Sequence, residues 1–119
     1  LNILGFKAPV TIYQARMSMQ LSQGHGSSGL GKISGVVDTE EFVGVVRDVA
    51  GVLGPANCDS AVVLDLLDDI RKASDILVDG SQDPGSVCNG ISVGLGYTMR
   101  RADLCGIADP ASPQNDPCP

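Results

Sequence analysis

The run NGISVGLGYTMR, residues 89–100, constrains the chain more than any other stretch. Its odd positions Ile91, Val93, Leu95, Tyr97 and Met99 are apolar. Its even positions Ser92, Gly94, Gly96, Thr98 and Arg100 are small or polar. A period of two puts these sets on opposite faces of an extended strand. A fold that contains it must supply backbone partners for its edges and a cover for its apolar face.

The upstream chain offers both. Residues 1–9 form a lead-in, in which Pro9 biases Ala8 toward an extended conformation. Residues 10–22 read as a strand, with Tyr13, Ala15, Met17, Met19 and Leu21 alternating with Gln14, Arg16, Ser18, Gln20 and Ser22. GHGSSG at 24–29 is a turn, and residues 30–37 read as a second, glycine-broken strand, so the two make a hairpin. Asp38 and Glu41 have the spacing of a capping box. A first helix follows to Leu53, with Phe42, Val45, Val46, Val49 and Leu53 as its buried stripe and Gly54-Pro55 as its stop. A second helix begins near Asn57 or Asp59 and runs toward Leu77, with the stripe Val62, Val63, Leu66, Leu67, Ile70 and Ala73.

The order is therefore β-β-α-α-β. With one apolar stripe on each helix and one apolar face on the first and last strands, it predicts an α+β fold: a small, mainly antiparallel sheet with two helices packed on one face. Residues 10–106 form the single domain, and 107–119 are a Pro-rich tail tied down by a cysteine. The pattern leaves open whether the last strand lies beside the first or the second. The core must be aliphatic, because aromatics are 3% of the 119 residues and Trp is absent.

Net charge of −6 with eight scattered basic residues does not make the clustered Lys/Arg surface that replaces phosphate counterions. Nucleic acid and anionic membrane surfaces are disfavoured as partners. No apolar run reaches the roughly 20 residues that span a bilayer. The opening LNILGFKAPV shows neither an initiator Met nor the basic start of a signal peptide, and a processed or partial chain is expected.

The cysteines are Cys58, Cys88, Cys105 and Cys118, at gaps of 30, 17 and 13 residues. These spacings do not suit structural zinc, and no C-x-x-C occurs. Two disulfides in an oxidising compartment are the expectation. Cys58–Cys88 and Cys105–Cys118 are the favoured pairs among three pairings, worth about 3.7 and about 3.0 kcal/mol in the chain-entropy description.

Catalytic patterns are weak. His25 with Ser27 and Ser28 lies in a Gly/Ser loop, which cannot hold a base rigidly beside a nucleophile. Asp65, Asp68 and Asp69 fall off the apolar stripe, and Asp68 and Lys72 make an i,i+4 pair on a solvated face. Asp79, Ser81 and Asp83 alternate as in a calcium loop, but Pro84 and Gly90 stand where Gly and Glu are needed. That loop is a weak metal candidate and nothing more. GLGYTM at 94–99 lacks the third Gly and the following helix of a dinucleotide site. No cofactor is expected.

The even positions are more informative. Gln14, Ser18, Gln20, Ser92, Gly94, Gly96 and Thr98 would make a sheet face of small side chains with few charges. Neighbouring glycines on one face leave room for another backbone to approach. Either this face is covered by a missing segment, another subunit or a partner, or it stands in water.

Finally, the T-E-E-F helix, the C-D-S-A helix, ILVDGSQDP and CNGISVGLGY together resemble the carboxy-terminal parts of uncharacterised bacterial cell-envelope lipoproteins, over roughly residues 10–105. The resemblance implies an exported setting and brings no activity. The expected function is a non-enzymatic structural or interaction module, extracellular or in the cell envelope. The alternative is a small-ligand or calcium-binding envelope protein.

Overall fold

A computed structural model describes residues 2–3 (main chain only), 5–103, 106–107, 109–110 and 116–118. Two short strands, β1 (Asn2–Ile3) and β2 (Phe6–Lys7), pair antiparallel around Gly5, whose φ of 86° suits the turn. The expected lead-in is thus a tight hairpin of its own, too short to show a period.

The main sheet has three antiparallel strands, β3 (Tyr13–Ser18), β4 (Ser27–Asp38) and β5 (Gly90–Arg100), in the order β3-β4-β5. The last strand therefore lies beside the second, and β4 is central. β3 is shorter than its alternating pattern. Gln14 takes a φ of 50°, and the register slips between Tyr13 and Arg16. Directly paired residues share a face. One face accordingly holds Val37 with Ile91, Gly35 with Val93, and Ile33 between Met17 and Leu95. The other holds Val36 with Ser92, Ser34 between Arg16 and Gly94, and Lys32 between Ser18 and Gly96.

Asp38 ends β4 and also caps the helix that follows. Its Oδ1 accepts from Glu41 N at 2.9 Å, and α1 (Thr39–Leu53) starts without a linker. A 3-10 turn (Pro55–Asn57) leads to Ser60, whose hydroxyl caps α2 (Ala61–Lys72). α2 begins and ends inside its expected limits. Arg71 and Lys72 fill its last turn, where cations complement the exposed carbonyls.

The expected arrangement of both helices on the sheet holds only for α1. It covers Val37, Ile91 and Val93, which with Phe42 line a small apolar cleft. α2 packs on α1. Arg71 clasps Glu40 with two hydrogen bonds, 2.7 and 2.9 Å, and holds its carboxyl below the ordinary range. Thr39 Oγ1 and Ser74 Oγ meet at 2.7 Å. Leu67 is the buried residue of α2, with Val63 and Ile70 half-buried beside it, while Val62, Leu64 and Leu66 face outward. In α1 the buried positions are Thr39, Val43 and Gly51, and Leu53 is exposed.

The cysteines differ from expectation. Among the described residues there is one disulfide, Cys58–Cys118, with Cα atoms 5.7 Å apart. Cys88 is a free, half-buried thiol, and Cys105 lies outside the described residues. Helix length explains why Cys58–Cys88 fails. Asn89, next to Cys88, bonds the start of α1 through Thr39 N. Cys58 packs at Gly51, twelve residues along the same helix. At about 1.5 Å per residue these sites are roughly 18 Å apart, far beyond disulfide reach. Gly51 is what admits the bridge: a Cβ there would lie 2.6 Å from Cys118 Sγ and 2.9 Å from Cys58 Sγ. Docking of the tail also brings Asp116 toward Asp48, whose carboxyl is pushed up by burial first and by that neighbouring charge second.

Candidate interaction surface

The sheet is longer than its cover. At the end where α1 begins, both faces are shielded. Val37 lies under the helix, and Val36 lies under residues 76–78 on the opposite face, where a Cβ on Gly90 would meet Val36 Cγ1 and Val78 Cα. Asp75 and Ile76 also bind the outer edge of β5. Gly90 N donates to Ile76 O, Asp75 N and Ile76 N donate to Gly90 O, and Ser92 N donates to Asp75 Oδ1 at 2.8 Å. The Ser92 hydroxyl bonds the same carboxylate. Both bonds favour the charged form, so the Asp75 carboxyl sits below its ordinary value, chiefly through the Ser92 hydroxyl.

Beyond Ser92 nothing similar continues among the described residues. Met17, Leu95 and Met99 on the apolar face are exposed by 60%, 53% and 39%. Leu21 and Leu30 near this end are exposed as well. Tyr97 softens the exposure. Its ring lies flat across Gly31, where a Cβ would come within 2.3 Å of it, and its hydroxyl donates to Ser18 O at 3.4 Å. Only a glycine under the ring allows this. Ser28 Oγ, at the same end, is buried with no hydrogen-bond partner among the described residues.

The opposite face is the one read from the even positions. Register brings Ser18, Ser92, Gly94 and Gly96 together, with Thr98 beyond them. A Cβ on Gly94 or Gly96 would meet nothing within 4 Å. Gln14 lines a groove of about 320 Å³ on this face with Arg16, Ser34, Asp79 and Ser92, and its side chain abuts Gly80. Gln20 lies past the end of β3 and is not part of the face.

Sequence reasoning missed one property of the sheet. Within the three strands, the charged residues other than the terminal Asp38 are Arg16, Lys32 and Arg100. An acidic chain thus carries a basic sheet, while α1 and α2 hold Glu40, Glu41, Asp48, Asp65, Asp68 and Asp69. The signal was present in the strand composition but is masked by the net charge.

The remaining candidates do not converge. Asp79 Oδ1 accepts from Ser81 N, and Asp83 takes Gly85 N and the Ser86 hydroxyl, so both carboxylates cap local turns. Among the described residues no three His, Cys, Asp or Glu side chains come together as metal ligands. His25 stands in the β3–β4 loop with a φ of 52° and bonds Ser22 O through its backbone. No helix among the described residues is long and apolar enough to cross a membrane. No family model, curated protein or solved structure matches the chain.

Proposed function

We propose that this chain is a non-enzymatic interaction module, exported to an oxidising compartment, that packs into a larger protein assembly through the open end of its sheet. The observation that carries the reading is the bareness of that end: apolar Met17, Leu95 and Met99 exposed on one face, open glycines on the other. Contiguous exposed apolar surface rimmed by polar residues marks protein interaction sites, and same-face glycines allow close backbone approach. The disulfide fits an oxidising compartment.

A photo-crosslinking residue placed at Thr98, in cells producing the protein, tests this. The control position is Asp68, which pairs with Lys72 on the solvated face of α2. Covalent adducts to protein from position 98, and none from position 68, are expected. Equal yields at the two positions would defeat the reading.

A further inference from the structure

Resting on that reading, we infer that the partner of the open edge is a second copy of this chain, paired β5 to β5 across a two-fold axis at Gly96. The backbone directions come first. Asn89 O accepts from Thr39 N, and Arg101 N donates to Gly26 O, so odd-numbered residues of β5 turn their main-chain groups toward β4. Even-numbered residues turn theirs outward, as Gly90 does to residues 75–76. Ser92 is held by Asp75. Gly94, Gly96 and Thr98 therefore present N–H and C=O groups to which no partner belongs among the described residues. An unpaired edge of this kind is a template for another strand, and chains that stay alone protect it with Lys, Pro or a bulge. From Gly90 to Thr98 β5 contains no charge and no proline.

The edge is also complementary to itself. An antiparallel pair centred on Gly96 sets Gly94 opposite the other copy's Thr98. The pairing ends there, because Asp75 holds the outer edge at Ser92, and the other copy's Arg100 comes next to it. Even residues share the glycine-lined face, so the guanidinium of Arg100 arrives beside the Asp75 carboxylate that clamps Ser92. Arg100 has no ion pair among the described residues. The two-fold axis makes this contact twice. On the other face the same register puts Leu95 against Tyr97 and Val93 against Met99 of the second copy. That continues the apolar row across the seam and removes Leu95 and Met99 from water. Residues 75–76 end the pairing on both sides, and because both copies use the same β5 edge about a two-fold axis the contact closes as a dimer.

Light scattering and amide hydrogen exchange on the purified chain test the inference together. At concentrations on the order of 100 µM, enough to populate a micromolar complex, a mass of twice 12.2 kDa is expected. The Gly94, Gly96 and Thr98 amides should be protected in that sample and lose protection on dilution. Arg100→Asp should weaken association roughly tenfold, because two cross-strand attractions become repulsions. Gly96→Pro should abolish association, and its ring replaces an N–H that β4 does not use, so the monomer keeps its fold. Equal unfolding midpoints for dilute wild type and Gly96→Pro would verify that. A dimer that survives Gly96→Pro would overturn the inference. So would a monomer whose three amides exchange freely. In that last case crosslinks from position 98 to other proteins would leave the interaction reading standing, and their absence would remove both.

Discussion

Val37 and Leu95 lie on the same face of the same sheet, two rows apart, and their surroundings differ completely. Val37 is 5% exposed and Leu95 is 53% exposed. The period of two places Leu95 on the apolar face, and register with Ile91 places Val37 there as well. Neither carries information about how far the cover extends. That is decided by connection length. Asp38 is both the last residue of β4 and the cap of α1, so the helix leaves from one end of the sheet with no linker to carry it along. α2 then packs on α1 and extends the cover no further along β5. One end of the sheet becomes a protein interior, and the other remains a surface.

The comparison assigns stability to the covered end, and the largest test is the disulfide. Cys58–Cys118 spans 60 residues, for which loop-closure entropy gives about 4.3 kcal/mol. Cys118→Ser should lower the free energy of unfolding by about that amount in denaturant titrations. A loss of under a quarter of this free energy would place the stability elsewhere.

A matched pair of truncations comes next. Leu67→Ala removes a buried side chain under α1 and should cost about 2–5 kcal/mol. Leu95→Ala, measured at dilution where the chain is monomeric, should cost under about 1 kcal/mol, because little apolar area leaves water. Equal costs would erase the distinction between the two ends.

Gly51→Ala is smaller but sharper in sign. In an exposed helix interior this change stabilises by roughly 1 kcal/mol. Here the added Cβ meets both disulfide sulfurs and Pro117 O at under 3 Å, so a net loss of about 1–2 kcal/mol is expected from overpacking. A gain in thermal midpoint would mean that the tail does not dock on α1.

These residues also mark what the sequence discloses. The strand at 89–100, the Asp38 cap and the Gly54 stop depend on local chemistry, and each stands where its local signal puts it. The cysteine pairing was illegible because it depends on a helix holding Cys88 and Cys58 apart, a distance that loop counting ignores. Gly51 gives no local sign of its benefit, which is a tertiary contact with a residue 67 positions away. The break in β3 at Gln14 hides inside good alternation, since a left-handed residue leaves no mark on polarity. The shared side of Gly94 and Gly96 was legible because side-chain direction alternates along one strand, whereas Gln20, past the end of β3, was misplaced. The bare apolar end at Met17 and Leu95 was not legible, since exposure is a property of what fails to reach a residue.

The smallest expected effect tests the boundary between the two ends, where Asp75 clamps Ser92. The Asp75 carboxyl titrates below its ordinary 3.8 in the folded chain, mainly through the Ser92 hydroxyl. A group depressed on folding contributes stability above its unfolded pKa and loses it as pH falls through the folded value. Asp75→Asn should therefore be less stable than wild type at neutral pH by a constant amount down to about pH 4. The two curves should then converge as acid protonates the wild-type carboxyl. Glu40 and Asp68 are depressed too, by Arg71 and Lys72, but they titrate in both proteins and cancel in the difference. Urea unfolding at intervals from neutral pH to about pH 2, on dilute protein, reads the effect without the second copy's Arg100. A gap that stays constant into acid would mean that the clamp is a packing contact and not an ionic one. The outer edge of β5 would then have no charged boundary for a partner strand to recognise.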